Sequence, residues 1–190
     1  MSLHRTVVTV LVPALTIVVG SSLHGRAGAE TFTATATVKM EGGTTASAPI
    51  TIVVDRKVSS AEADGVAAAF TSGGTAALRK ALGALPAAGS IRLGGGRPTV
   101  TRLALERRTD KGRLLTIVSD EPILFLGAGR PGAAAKEGFD FALIDIEIDE
   151  KGSGSGTLCP AAKIIVRQSA FVVADYASEI IQLTDVKSVK

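Results

Sequence analysis

The sequence predicts an α+β domain: a strongly curved, mostly antiparallel sheet of about 8–10 strands, with one helical hairpin (59–72 and 75–85) packed on one face. Two observations carry this. Helical spacing is confined to one long stretch, Ser59 to Pro86, whereas most other patterned segments alternate apolar and polar with period two. The strands are joined mostly by short turns, which connect antiparallel neighbours, since parallel neighbours need crossovers of a dozen residues or more.

Within the helical stretch, Ser59 is an N-cap and Glu62, three residues on, completes a capping box. Ala63, Val66, Ala67 and Phe70 recur at i, i+3, i+4 and i+7, which is one helix face. Ser72-Gly73-Gly74 is expected to stop this helix, because glycine takes the left-handed backbone of a C-cap. Thr75 then caps a second helix with Leu78, Ala81, Leu82 and Leu85 on its apolar face, and Pro86 ends it. Each helix is too short to be stable alone, so both are expected to dock on the sheet.

Glu30 to Glu41 is the cleanest strand, with Phe32, Ala34, Ala36, Val38 and Met40 on one face and threonines on the other. Ile50 to Asp55 is expected to pair with it. Further strands are read at Ser90 to Leu93, Thr99 to Arg108, Arg113 to Ser119, Ile123 to Leu126 and Phe139 to Asp149. Gly152 to Gly156 reads as a flexible hairpin tip, followed by strands at Thr157 to Arg167, Phe171 to Ala174 and Ile180 to Val186.

Residues 1–29 read as a secretory signal: Arg5, an apolar run from Thr6 to Gly20, and the cleavage pattern Ala27-Gly28-Ala29. The mature chain then starts at Glu30 and forms a single domain, 30–190, with no transmembrane anchor after cleavage. Its destination is the periplasm or the medium. Both histidines, His4 and His24, leave with the signal, as do Arg5 and Arg26. The 21 basic residues become 19 against 18 acids, so the formal charge falls from +3 to +1. That balance, and the lack of aromatics among the arginines, argue against a nucleic-acid partner.

A mature chain without His has no Ser-His-Asp triad, Cys-His pair or His-ligated zinc. The reading therefore leans away from an enzyme and implies no cofactor. Cys159, in Leu158-Cys159-Pro160, reads as a small strand-end apolar residue rather than a nucleophile.

Three constellations remain. Gly127-Ala128-Gly129-Arg130-Pro131-Gly132 matches G-x-G-x-x-G, but too few residues follow for the helix that a dinucleotide site requires, so it reads as a turn. Asp145, Glu147 and Asp149 resemble the opening of a calcium loop, yet Glu150 and Gly156 replace the Gly and Glu that the loop needs. They are a weak metal alternative to a solvated acidic face. Gly95, Gly96, Arg97 and Arg102 are the candidate ligand-binding residues, where loop amides and a guanidinium could hold an anion. Against that stands ion pairing between two neighbouring regions: residues 92–113 hold seven bases and two acids, and residues 137–150 six acids and no base.

Several segments carry a resemblance: Ile52-Val53-Val54-Asp55-Arg56, residues 73–82, Ile123 to Gly129, and Ile181 to Val186. In these the chain resembles a group of uncharacterised exported bacterial proteins of the acidobacterial type. The resemblance implies an exported protein and assigns no residue a role.

The function expected is a non-enzymatic binding or structural module that holds a small or amphipathic ligand between sheet and helix pair, or meets a protein partner. The alternatives are a hydrolase using carboxylates of the acidic strand, and a structural or oligomeric protein that pairs an exposed edge strand.

Overall fold

A computed structural model describes residues 28–39, 43–123, 138–167, 170–177 and 179–189. Among these are ten strands and one helix: β1 (Glu30–Lys39), β2 (Thr45–Val54), α1 (Ser60–Ala84), β3 (Gly89–Leu93), β4 (Thr99–Thr101), β5 (Leu103–Thr109), β6 (Gly112–Ser119), β7 (Phe141–Ile148), β8 (Ser153–Arg167), β9 (Ala170–Tyr176) and β10 (Ile181–Val189). The predicted signal, the glycine pattern at 127–132 and most of the strand read at Ile123 to Leu126 lie outside the described residues.

The strands form one antiparallel sheet in the order β4-β3-β2-β1-β10-β8-β7-β6-β5, with β9 also on β8. Its two end members, β4 and β5, are consecutive in the chain with only Arg102 between them. The first half of this bent strand pairs with β3 and the second with β6. The Arg102 amide donates to the Val118 carbonyl at 2.9 Å, and Ser119 Oγ donates to the Val100 carbonyl at 3.0 Å. The bend therefore fastens one end of the sheet to the other, and the result is a nearly closed barrel. β9 and β10 likewise follow one another along β8, Tyr176 opposite Ala162 and Ile181 opposite Leu158. Nearly every stave lies beside its chain neighbour, and β10 returns to β1, which is an up-and-down barrel.

The sheet is thus not an open curved layer. The apolar face of each strand turns inward, and closing the sheet buries it without a second layer. Phe32, Ala34, Ala36 and Val38 of β1, Ile50 and Ile52 of β2, Leu115 and Ile117 of β6, and Ile144, Ile146 and Ile148 of β7 meet there. Most are fully buried. At Gly154 and Gly156 β7 passes so close that an added Cβ would fall 1.9 Å from the Glu147 carbonyl oxygen or 2.3 Å from that of Asp145. Ser153 to Gly156 are accordingly strand, paired with β7 and β10, and the hairpin turn sits earlier, around Lys151 and Gly152. In β10 a bulge with Asp185 at φ 52° shifts the alternation, so that Val186 points inward after Leu183.

The expected helical hairpin is also corrected: residues 60–84 form one helix. The capping box at Ser59 and Glu62 starts it. The break falls where the sequence placed it: Gly73 (φ −143°, ψ 16°) and Gly74 (φ 62°, ψ −150°) leave helical geometry and kink the helix into two segments. Glycine reaches those angles without a steric penalty. The helix lies outside the barrel. Val66, Leu78 and Leu82 pack on the outer residues Leu103, Val118, Phe141, Leu143 and Cys159, and on Ile164 and Phe171 of the β8–β9 ribbon. This second core covers one wall. On the opposite wall, Thr33 and Lys39 are exposed, and Thr31, Thr35 and Thr37 half-buried.

On this wall, outward threonines around an inward core of Ile, Val and Phe are the reverse of a membrane-spanning barrel, whose apolar band faces lipid. No helix among the described residues is long and apolar enough to cross a membrane.

Candidate functional site

The densest group of charges sits at the barrel end where β1 begins and β2 finishes. Glu30 precedes the inward-facing Phe32 by two residues, Arg113 precedes Leu115 by two, and Glu106 follows Ala104 by two. Strand alternation therefore sends all three side chains toward the barrel interior. Lys57, just past β2, closes the set. Lys57 Nζ lies 2.6 Å from Glu30 Oε1 and 2.5 Å from Glu106 Oε2. Arg113 Nη2 lies 2.6 Å from Glu30 Oε2, and Nη1 lies 2.9 Å from Glu106 Oε2. Two cations and two carboxylates thus form a closed ring, each group bridging both opposite charges. The Arg113 guanidinium also stands 5.7 Å from the centre of the Phe32 ring, within cation–π range of the core below.

The ring sets its own protonation. Burial pushes the Glu30 and Glu106 carboxyls up, but the hydrogen bonds from Arg113 and Lys57 outweigh it and hold both below the ordinary carboxylate value. For Lys57, burial works against the charge, and the bonds to Glu106 and Glu30 prevail, so its ammonium is held above the usual lysine range. At neutral pH all four groups are therefore charged, and none is poised to trade a proton. The ring is a clasp, not an acid–base pair.

Beside it opens a cleft of about 480 Å³ that shares Glu106 and Arg113 with the ring and adds Arg108, Asp110, Glu150 and Lys151. Nearby, Arg56 Nη1 donates to Glu62 Oε1 at 3.0 Å, tying the chain after β2 to the first turn of α1.

The residues singled out from sequence are dispersed. The Gly94–Gly96 turn is the exposed tip between β3 and β4, and its amides are not all free: Gly94 donates to the Pro49 carbonyl and Gly96 to that of Leu93. Gly95 and Arg97 are exposed there. Arg102 is apart from them at the barrel seam, where its Nε donates to Asp120 Oδ2 at 3.1 Å and Nη1 reaches the Leu85 carbonyl at 3.5 Å. The four therefore do not converge on one anion.

Asp145, Glu147 and Asp149 point outward from β7, opposite the inward isoleucines, and each has its own partner. Thr116 Oγ1 donates to Asp145, and Thr109 Oγ1 to Glu147. Asp149 Oδ1 accepts the amides of Lys151 and Ser153 and shapes the β7–β8 turn. No group of three metal-ligating side chains occurs among the described residues. Burial raises the Asp145 carboxyl above its ordinary value, against the Thr116 hydrogen bond and the charge of Arg107. Cys159 is buried under α1, and loss of solvent pushes its thiol to about 11.

The basic and acidic regions flanking the hairpins do neighbour each other, since β6 pairs with β7. Among the described residues they share one ion pair, Lys111–Glu147 at 4.0 Å. Of their other charges, Arg113 pairs in the ring, Arg102 with Asp120, and Asp140 with Arg79 of α1. Sequence reading missed the ring because Glu30 and Arg113 are 83 residues apart. The one available signal was a charged residue in an inward position of each of three strands.

The fold and site thus define an up-and-down barrel with a filled interior, one covering helix and a charge-clasped end. No protein-family model matches the chain, and no curated protein or solved structure shows significant similarity to it.

Proposed function

We propose that this chain is an exported, non-enzymatic binding or structural module that works through its outer surface. The observation that carries this is the closed interior. The barrel is filled by side chains such as Phe32, Ile52, Leu115 and Ile144, which are essentially inaccessible to solvent, and one end is clasped by neutralised charges. The space between helix and sheet is likewise taken up by Leu78, Leu82, Leu103, Val118 and Phe141. That packing favours the structural half of the expectation over a ligand held beneath the helix.

Export to the periplasm or medium, and kinship with the acidobacterial group, belong to the same proposal. In support, Gly28 and Ala29 are exposed and β1 begins at Glu30, so cleavage after Ala29 would leave the sheet whole. Intact mass spectrometry of the protein purified natively from its source tests the reading. The expected mass starts at Glu30 with no small molecule retained. A retained ligand, or an uncut leader, overturns the corresponding part.

One observation favours a second reading, a hydrolase: Asp145 combines a raised carboxyl with Glu147 two residues along the same strand face. Alternate strand residues lie about 7 Å apart, a spacing compatible with a carboxylate pair that admits a water. Assay against ester and glycoside chromogens decides it: activity must be present and must fall in both D145N and E147Q.

A further inference from the structure

The two strands that flank β1 stand far apart in chain order. β2 follows it directly, whereas β10 is the last of the ten described strands. Thr31 pairs with Val53 on one side and with Val189 on the other, and Glu30 pairs with Val54. The Glu30 carboxylate is held besides by Lys57 Nζ and Arg113 Nη2, both at 2.6 Å. Gly28 and Ala29 are exposed, so the ladder begins one bond past the exposed chain. That bond, Ala29–Glu30, is the one the leader reading has cut. A processing peptidase holds its substrate as an extended strand, with residues on both sides of the scissile bond in its cleft. A strand already bonded to two neighbours has no backbone groups to offer, and its proteolysis waits on local opening.

We infer that the leader is cut while the chain is unfolded, before β10 closes the barrel on β1, and that closure shuts the cut site. The interval is built into the topology. The seam between β1 and β10 joins the first described strand to the last, so β1 keeps one edge open until the whole intervening chain is available. The clasp is equally late for Glu30, because Arg113 reaches it from β6. The cut itself is a hydrolysis: water adds across the Ala29–Glu30 peptide, leaving a carboxylate on Ala29 and a new amino group on Glu30. The chain then crosses its membrane unfolded, since a chain folded beforehand would present that bond already occluded. This rests on the export reading above and adds the order of events to it.

The test uses the full chain made by cell-free synthesis. A bacterial signal peptidase in detergent micelles is either present throughout or added once the barrel resists trypsin, and mass spectrometry locates the cut. Present throughout, the peptidase is expected to cut after Ala29. Added late, it should cut at least about tenfold more slowly, because cutting then waits on the opening of β1. A second chain carries a short Gly-Ser spacer between Ala29 and Glu30, which moves the bond out of the ladder; it is expected to be cut as fast late as early. Equal early and late rates in the wild type overturn the inference and leave the leader reading standing. So does a spacer chain that, once folded, resists cutting as the wild type does. A wild type uncut at both times overturns the leader reading, and the inference with it.

Discussion

The two walls of this barrel are built from the same kind of strand but solve different problems. On the wall of β1, β2, β3 and β10 each strand buries one face only, and threonines and charges hold the other in water. On the wall of β5 to β8 the outer face is split along its length. Leu103, Val118, Phe141, Leu143 and Cys159 occupy the part under α1, and Thr116, Asp145 and Glu147 the part beyond it. A strand can therefore read as alternating at one end and continuously apolar at the other, as Phe141 to Ile144 and then Asp145 to Ile148 do. The lesson is that the helix is required by a short apolar patch on one wall, and not by the sheet as a whole. The clasp joins the two walls: Glu30 belongs to the bare one, Glu106 and Arg113 to the covered one, and Lys57 to the segment leading into the helix.

The contrast can be broken most directly at Leu82, which is fully buried under the covered wall. Leu82→Ala removes that contact and leaves a cavity, with an expected loss of about 2–5 kcal/mol in denaturant unfolding. A loss below about 1 kcal/mol would mean that the helix is an ornament on a self-sufficient barrel.

The clasp is next. Glu106→Gln leaves Lys57 and Arg113 sharing one carboxylate, at an expected cost of roughly 1–2 kcal/mol at neutral pH, since about a quarter of each side chain still meets water. The pH dependence follows from the lowered carboxyls. Unfolding returns Glu30 and Glu106 to their ordinary value of 4.5, so the unfolded chain takes up protons first. Their contribution is full above that value and is lost as pH falls through the lower folded values. Wild type and Glu106→Gln should therefore converge in melting temperature under strong acid. Lys57 acts at the other extreme: its contribution is full below 10.5 and lost as pH rises through its raised folded value.

Ser59→Ala removes the N-cap bond to Glu62 and should cost about 1 kcal/mol. Exchange of α1 amides should quicken while those of β1 stay unchanged, if the cover loosens independently of the barrel.

Asp145→Asn works in the other direction. Its carboxyl is raised by burial, so the fold favours the protonated form and loses stability as pH climbs above the ordinary 3.8. The amide oxygen can still accept from Thr116, and a small rise in melting temperature at pH 7 is expected. Smallest of all is Thr35→Ala on the bare wall, within about 0.5 kcal/mol. A larger loss there would show that the threonine face is bound to something.

Period-two alternation in residues 30–39 and 141–148, and the capping box at Ser59, were legible in the sequence because they depend on neighbours a few residues apart. The helix kink was half legible: the glycines marked the place, but whether the chain reverses there depends on what both halves pack against. Candidate sites fared otherwise. The Gly95, Gly96 and Arg97 turn and Arg102 are close in sequence, yet Asp120 claims Arg102 from 18 residues away.

The chain by itself determined an antiparallel, inward-apolar sheet with one capped helical stretch, because side-chain period and caps are local properties of the backbone. Only the tertiary structure decided that the sheet closes, that the helix lies outside it, and that Glu30, Lys57, Glu106 and Arg113 meet. Closure depends on the bend at Arg102 and on β10 returning to β1, contacts between segments whose partners no local pattern names.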